Sequence, residues 1–165
     1  MPEATGPGRA PGLREMTEGD LDVVARLEGE LFGAEAWSRD LLAAELVASH
    51  GPMADRRYVV VEEWPDGGGG ILGYAGVWLG DGRGDADLLT VATLPSARRQ
   101  GVATAMVNHL LRRARQAGCA SVLLEVRVSN TAARELSRRL GFVPVGTRRR
   151  YSLAPGAEAI VHRAD

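Results

Sequence analysis

Two stretches of this chain hold residue types that can do chemistry. The first is Arg98-Arg99-Gln100-Gly101-Val102-Ala103-Thr104, set where an apolar, strand-like run from Leu89 to Leu94 gives way to a helix-like one. A helix start offers backbone N–H groups with no helical acceptor and the positive end of the helix dipole, which suits an anion. Gly101 permits close backbone approach, Ala103 keeps the next turn open, and Arg98 and Arg99 add charge suited to a diphosphate. Joined to the strand before it and the helix after it, the R-x-x-G-x-A spacing points to a pyrophosphate-bearing cofactor.

The second stretch is Ser121 to Val128, an apolar strand interrupted by Glu125 and Arg127. Strand alternation puts Val122, Leu124, Val126 and Val128 on one face, and Leu123, Glu125 and Arg127 on the other. A carboxylate in so apolar a strand is costly unless it is paired or functional. Glu125 therefore reads as a functional carboxylate, as one member of an Arg127-compensated pair on an exposed face, or as a structural carboxylate. Asn130, two residues beyond Val128, reads as a helix cap.

The remaining sequence must supply elements to position these residues. Residues 1–11 are rich in Pro, Gly and Ala and read as a disordered tail, leaving 12–165 as one domain. Leu13 to Met16 reads as a first strand. Thr17 caps a helix with Asp20 as its capping-box carboxylate, and Leu21, Val24, Leu27, Glu28 and Leu31 follow at helical spacing. Ser38 caps a second helix. Tyr58 to Val61, Ile71 to Leu79 and Asp87 to Leu94 read as strands, the first two joined by the glycine-rich 65–70 connection. That connection lacks the strand–loop–helix context and the Gly-Lys ending of a phosphate-binding loop. Gly101 to Gln116 is the clearest helix, with Ala103, Met106, Val107, Leu110, Leu111 and Ala114 on one stripe. A helix from Asn130 to Gly141 and strands at Phe142 to Tyr151 and Ala157 to Val161 complete an α+β order.

Composition excludes several classes of function. A net charge of −1 gives no overall field favouring nucleic acid or an anionic membrane. All 20 basic residues are arginine, which removes any catalytic, Schiff-base or P-loop lysine. The single cysteine, Cys119, forbids an internal disulfide and reads as a buried structural thiol. His50, His109 and His162 lack metal-ligand spacing, so no metal is expected. No basic-then-apolar leader and no membrane-length apolar run is seen, and the expected location is the cytoplasm.

Beyond these readings, Arg98-x-x-Gly101-x-Ala103 resembles the acetyl-CoA loop of the GCN5-related N-acetyltransferase (GNAT) superfamily. Leu124-Glu125-Val126-Arg127-x-Ser129-Asn130-x-x-Ala133, followed by Leu140-Gly141-Phe142, is similar to the ribosomal-protein-alanine N-acetyltransferases, the RimI type. Leu31-Phe32, Ala36-Trp37-Ser38 and Arg149-Arg150-Tyr151 match that type as well.

The resemblance implies a mixed, mostly antiparallel sheet of about six to seven strands flanked by about four helices. It implies transfer of acetyl from acetyl-CoA to an amine, directly in a ternary complex. The expected acceptor is a protein N-terminus, possibly of a ribosomal protein; a small-molecule amine is the alternative. Backbone groups of Val91, Ala92 and Thr93 would hold the pantetheine arm and the thioester carbonyl. The loop from Arg98 and Arg99 through Gln100, Gly101, Val102, Ala103 and Thr104 would hold the pyrophosphate, with Asn130 beside it. Glu125 would be the base, and Trp37 and Tyr151 would meet the acceptor. Nucleic acid and membrane are not expected partners, and the chain would be a monomer or a homodimer. One position departs from the pattern: the type carries a tyrosine that protonates the departing thiolate, and here that residue is Ser137. The departure raises a third reading, an acyl-CoA-binding module with weakened catalysis.

Overall fold

The computed structural model of the protein describes residues 12–64, 69–149 and 158–165. The expected tail, most of the glycine-rich connection, Arg150 and Tyr151 lie outside the described residues.

Seven strands form one sheet, in the spatial order β1-β2-β3-β4-β5-β7-β6. These are β1 (Gly12–Glu15), β2 (Arg56–Glu62), β3 (Ile71–Trp78), β4 (Asp85–Thr93), β5 (Ser121–Arg127), β6 (Val143–Arg149) and β7 (Glu158–Ala164). All neighbours pair antiparallel except β4 and β5, which are parallel. The helices are α1 (Leu21–Phe32), α2 (Arg39–Ala48), α3 (Val102–Gln116) and α4 (Thr131–Arg139). Only the β4–β5 pair needs a long crossover, and α3 supplies it.

Strand alternation divides the core in two. On one face Val59, Val61, Ala75, Val77, Leu88 and Val122 pack against the apolar stripe of α3. On the other, Tyr58, Val60, Tyr74 and Ala92 pack against Leu21, Val24 and Leu27 of α1 and Leu42 and Leu46 of α2. The buried residues of α3 are Val102, Met106, Val107, Leu110, Leu111 and Ala114. Ala103, expected on that stripe, is half-buried and Val102 takes the inner place.

The caps fall where the residue types predicted. Ser38 Oγ accepts the Leu41 N–H at 3.1 Å, and the Asn130 side chain accepts the Ala133 N–H at 3.0 Å. Thr17 and Asp20 form a capping box on a 3-10 turn that leads into α1. Asp20 also takes two hydrogen bonds of 2.7 Å from Arg14, which in turn reaches Glu62 at 2.8 Å. This network stitches the edge strand β1 to α1 and β2.

Burial alone would raise the Asp20 pKa, but the Arg14 guanidinium and the Thr17 N–H together hold it below its ordinary value. A carboxyl depressed on folding stabilises the fold above its unfolded pKa of about 3.9, and that stability is lost as pH falls through the folded value. Asp20→Asn is therefore expected to lower stability near pH 7, with a penalty that shrinks below about pH 4, as urea unfolding at several pH values would show. Gly76 lies against the Tyr58 ring, and a Cβ there would fall inside the ring's van der Waals envelope. Gly76→Ala should cost about 1–3 kcal/mol by overpacking, measurable as a lowered thermal midpoint.

Candidate active site

The site is built where β4 and β5 part. Their ladder runs from Asp85↔Ser121 to Leu88↔Leu124 and stops there. Beyond it β4 continues to Thr93, bound on its other edge to β3, and β5 continues to Arg127, bound on its other edge to β7. Beyond Leu88 and Leu124 the two strands run on without a shared ladder, and an extended ligand laid between them would lie along the β4 edge. Val91, Ala92 and Thr93 lie on one edge, Glu125 and Arg127 on the other.

At the mouth of this opening stands the start of α3. Arg99 adopts φ 64° and Gly101 φ 78°, so two left-handed residues turn the chain sharply into the helix. The first helical hydrogen bond is Ala105 N–H to Gly101 carbonyl at 2.9 Å. The N–H groups of Val102, Ala103 and Thr104 precede it and have no acceptor within the helix. Arg98, Arg99 and Gln100 are exposed around them, with Gln100 donating to the Ser96 carbonyl at 3.2 Å. A polyanion of pyrophosphate size meets N–H donors, the helix dipole and two guanidiniums here.

One observation tests whether a polar, chain-like ligand fits the opening. The hydroxyl of Thr93, at the open end of β4, is buried and has no hydrogen-bond partner. Buried hydroxyls are normally paired, and an amide-bearing arm lying along β4 would supply what Thr93 lacks. The hydroxyl, as distinct from the backbone of Thr93, was not singled out in the sequence.

Glu125 is half-buried on β5, paired across the sheet with Val161. Its neighbour Leu124 packs on the α3 core, so alternation turns Glu125 and Arg127 toward the α1–α2 face. Arg127 confirms that direction by forming an ion pair with Glu35, in the connection between α1 and α2. Trp37, in the same connection, is half-buried, packs on the second core together with Leu42, and donates its N–H to Glu28 at 2.9 Å. It stands immediately before the Ser38 cap and two residues after Glu35, the partner of Arg127. Tyr74 is fully buried and bonded to Glu28 at 2.9 Å. Desolvation, then the Glu28 charge, pushes its phenol well above the ordinary range. Tyr58, likewise buried, donates to Glu45 at 2.6 Å, and both tyrosines serve the packing of the sheet.

Ser137 lies elsewhere in character. It is the buried residue of α4, fully shielded, and its hydroxyl donates to the Ala133 carbonyl at 2.9 Å. The hydroxyl is spent on the preceding turn of its own helix, a common use of serine in helices. Cys119 is buried with its thiol directed at the Leu79 carbonyl, and burial, followed by Asp81 and Asp85, pushes its pKa up. It is unsuited to act as a nucleophile. Among the described residues no group of His, Cys, Asp or Glu gathers to hold a metal ion, and no helix is long and apolar enough to cross a membrane.

The chain matches the model of the Acetyltransferase (GNAT) family over residues 21–142, and it belongs to that family. It is an N-acetyltransferase. It is 33% identical over 153 residues to the N-alpha-acetyltransferase RimI of Mycobacterium tuberculosis, covering 91% of this chain and 89% of the relative. Among solved structures, the ribosomal-protein-S18-alanine N-acetyltransferase of Escherichia coli superposes with a TM-score of 0.73 at 25% identity, covering 93% and 92% of the two chains. Arabidopsis thaliana NAA60 in complex with acetyl-CoA shares the fold, with a TM-score of 0.76 at 17% identity over 94% and 98% of the chains.

Sequence reasoning named Glu125, the β4 edge and the α3 start as site residues. It missed the buried acid Glu28 as a bonding centre, although an acid on the inner stripe of an apolar helix was the signal. It also missed the Glu35–Arg127 pair, whose members are 92 residues apart. Because the Ser137 hydroxyl is tied to Ala133, Ser137→Ala should leave acetyl transfer unchanged in a thiol-release assay. Removal of a working acid would cost about 10²–10⁴-fold.

Proposed function

We propose that this acetyltransferase moves acetyl from acetyl-CoA to the α-amine of a protein N-terminus, with a ribosomal protein as the expected acceptor. The observation that carries the reading is the parting of β4 and β5 at Leu88 and Leu124, with an anion-binding helix start at its mouth and a half-buried carboxylate on its far edge. The names of the relatives, an N-alpha-acetyltransferase and a ribosomal-protein-alanine N-acetyltransferase, favour this acceptor over a small amine.

Acetyl-CoA, when bound, supplies an activated thioester. The residues of the chain divide the remaining work. Arg98, Arg99 and the N–H groups from Gly101 to Thr104 hold the pyrophosphate. The open edge at Val91, Ala92 and Thr93 takes the pantetheine amides and offers an N–H to the thioester oxygen, where charge develops in the transition state. Asn130 keeps its cap and presents its amide nitrogen nearby. The acceptor approaches from the α1–α2 face, where Glu125, Arg127, Glu35 and Trp37 lie. An α-ammonium has a pKa of about 7.7–8.0, so little work is needed to free it near neutrality, and Glu125 receives its proton directly or through a water. The thiol leaves with a pKa of about 8.5, which makes departure as thiolate feasible without the tyrosine that Ser137 replaces. Such an enzyme works in the cytoplasm.

The test is thiol release from acetyl-CoA with and without peptides beginning Ala-Arg, checked by intact mass. Acceptor-dependent release is expected, falling by about 10²–10⁴-fold in Glu125→Ala. Binding of acetyl-CoA without release from peptides or small amines would favour the weakened acyl-CoA-binding module that Ser137 raises. Release with small amines alone would replace the peptide acceptor.

A further inference from the structure

Glu28 sits on the inner stripe of α1 and is 2% exposed. A carboxylate so placed destabilises the fold unless its oxygens are satisfied. They are divided between two different elements. Oε1 accepts the Tyr74 hydroxyl at 2.9 Å, and Oε2 accepts the Trp37 backbone N–H at 2.9 Å. Tyr74 is fully buried on β3, directly opposite Ala92 on β4, the strand that forms one edge of the opening. Trp37 immediately precedes the cap of α2. One side chain therefore ties the centre of the sheet to the α1–α2 connection.

That connection has little else to hold it. Gly33, Ala34 and Glu35 are exposed, Gly33 is in a positive-φ conformation at the end of α1, and Trp37 supplies the one large apolar side chain from 33 to 38. Its outer fastening is the Glu35–Arg127 pair, whose side chains are 46% and 37% exposed. Ion pairs at that exposure contribute little and weaken with salt. The buried inner fastening therefore decides where the connection lies, and the connection borders the face of Glu125.

We propose that Glu28 is a positioning residue of the acceptor site: by capping the Trp37 N–H from a Tyr74-braced carboxylate, it fixes residues 33–38 over the Glu125 face of the β4–β5 opening. The role rests on the reading of the α1–α2 face as the acceptor side. It is specific to the acceptor, because the pyrophosphate loop lies at the start of α3, which packs on the opposite face of the sheet.

The experiment compares wild type, Glu28→Ala, Glu28→Gln and Tyr74→Phe. Steady-state kinetics are run with an Ala-Arg peptide and with acetyl-CoA, each varied in turn, alongside amide hydrogen exchange of residues 33–38. Glu28→Ala should raise the peptide KM by about 10-fold or more, a misplacement effect, while the acetyl-CoA KM stays within about twofold. Exchange in 33–38 should accelerate. Glu28→Gln keeps an oxygen to accept the Trp37 N–H and should recover most of both losses. Tyr74→Phe, which frees one side of the carboxylate, should show the same split in weaker form and serves if Glu28→Ala fails to fold. Unchanged peptide KM and unchanged exchange would overturn the proposal, as would an equal rise in both KM values. Absence of turnover by the wild type on this peptide would count against the acceptor reading instead, and the exchange data would still decide whether Glu28 holds the connection.

Discussion

Parallel pairing between β4 and β5 ends at Leu88 and Leu124, and neither strand ends with it. Each is held on its outer edge, β4 by β3 and β5 by β7, so both run on within one sheet after their shared ladder ends. Beyond that point β4 and β5 share no ladder. In the proposed mode a ligand with its own amides lies between the strands and pairs with the β4 edge. The buried hydroxyl of Thr93, without a hydrogen-bond partner, lies on that strand. The opening is thus a consequence of topology, and the chemistry is grafted on its rim.

The proposed sites divide the two substrates between the faces of the sheet. The α3 side carries the helix start, Gly101 and the exposed Arg98 and Arg99, proposed for the phosphorylated cofactor. The α1–α2 face carries Glu125, Arg127 and Glu35, proposed for the amine. In the proposed arrangement each substrate binds from its own face, and the amine and the thioester carbonyl meet between the β4 and β5 edges. Four acids of the first half are internal to this frame. Asp20 and Glu62 bind Arg14, Glu45 binds Arg56 and Tyr58, and Glu28 binds Tyr74 and Trp37. These four carboxylates help hold the α1–α2 layer and β1 on the sheet, while Glu35 pairs with Arg127 of β5.

Local signals carried most of the fold. Caps at Thr17, Ser38 and Asn130, Gly141 at the end of α4, and alternation in β5 are decided within a few residues, so they can be read along the chain. Burial of Cys119 followed from its apolar surroundings. What could not be read was anything that depends on pairing across long separations. Glu28 was visible as an oddity in an apolar stripe, but its partners Tyr74 and Trp37 come together only when α1 lies on β3. The fate of Ser137 was equally hidden: sequence gave its position in the motif, while its hydroxyl bond to Ala133 and its complete burial depend on how α4 packs.

The central claim is that the unpaired edges of β4 and β5 hold acetyl-CoA. Its most direct measurement is backbone hydrogen exchange with and without saturating acetyl-CoA, read peptide by peptide. The account predicts slowed exchange in 89–93 and 98–104, with α2 unchanged. Binding that leaves both segments unprotected, or that protects only the α1–α2 layer, would contradict it.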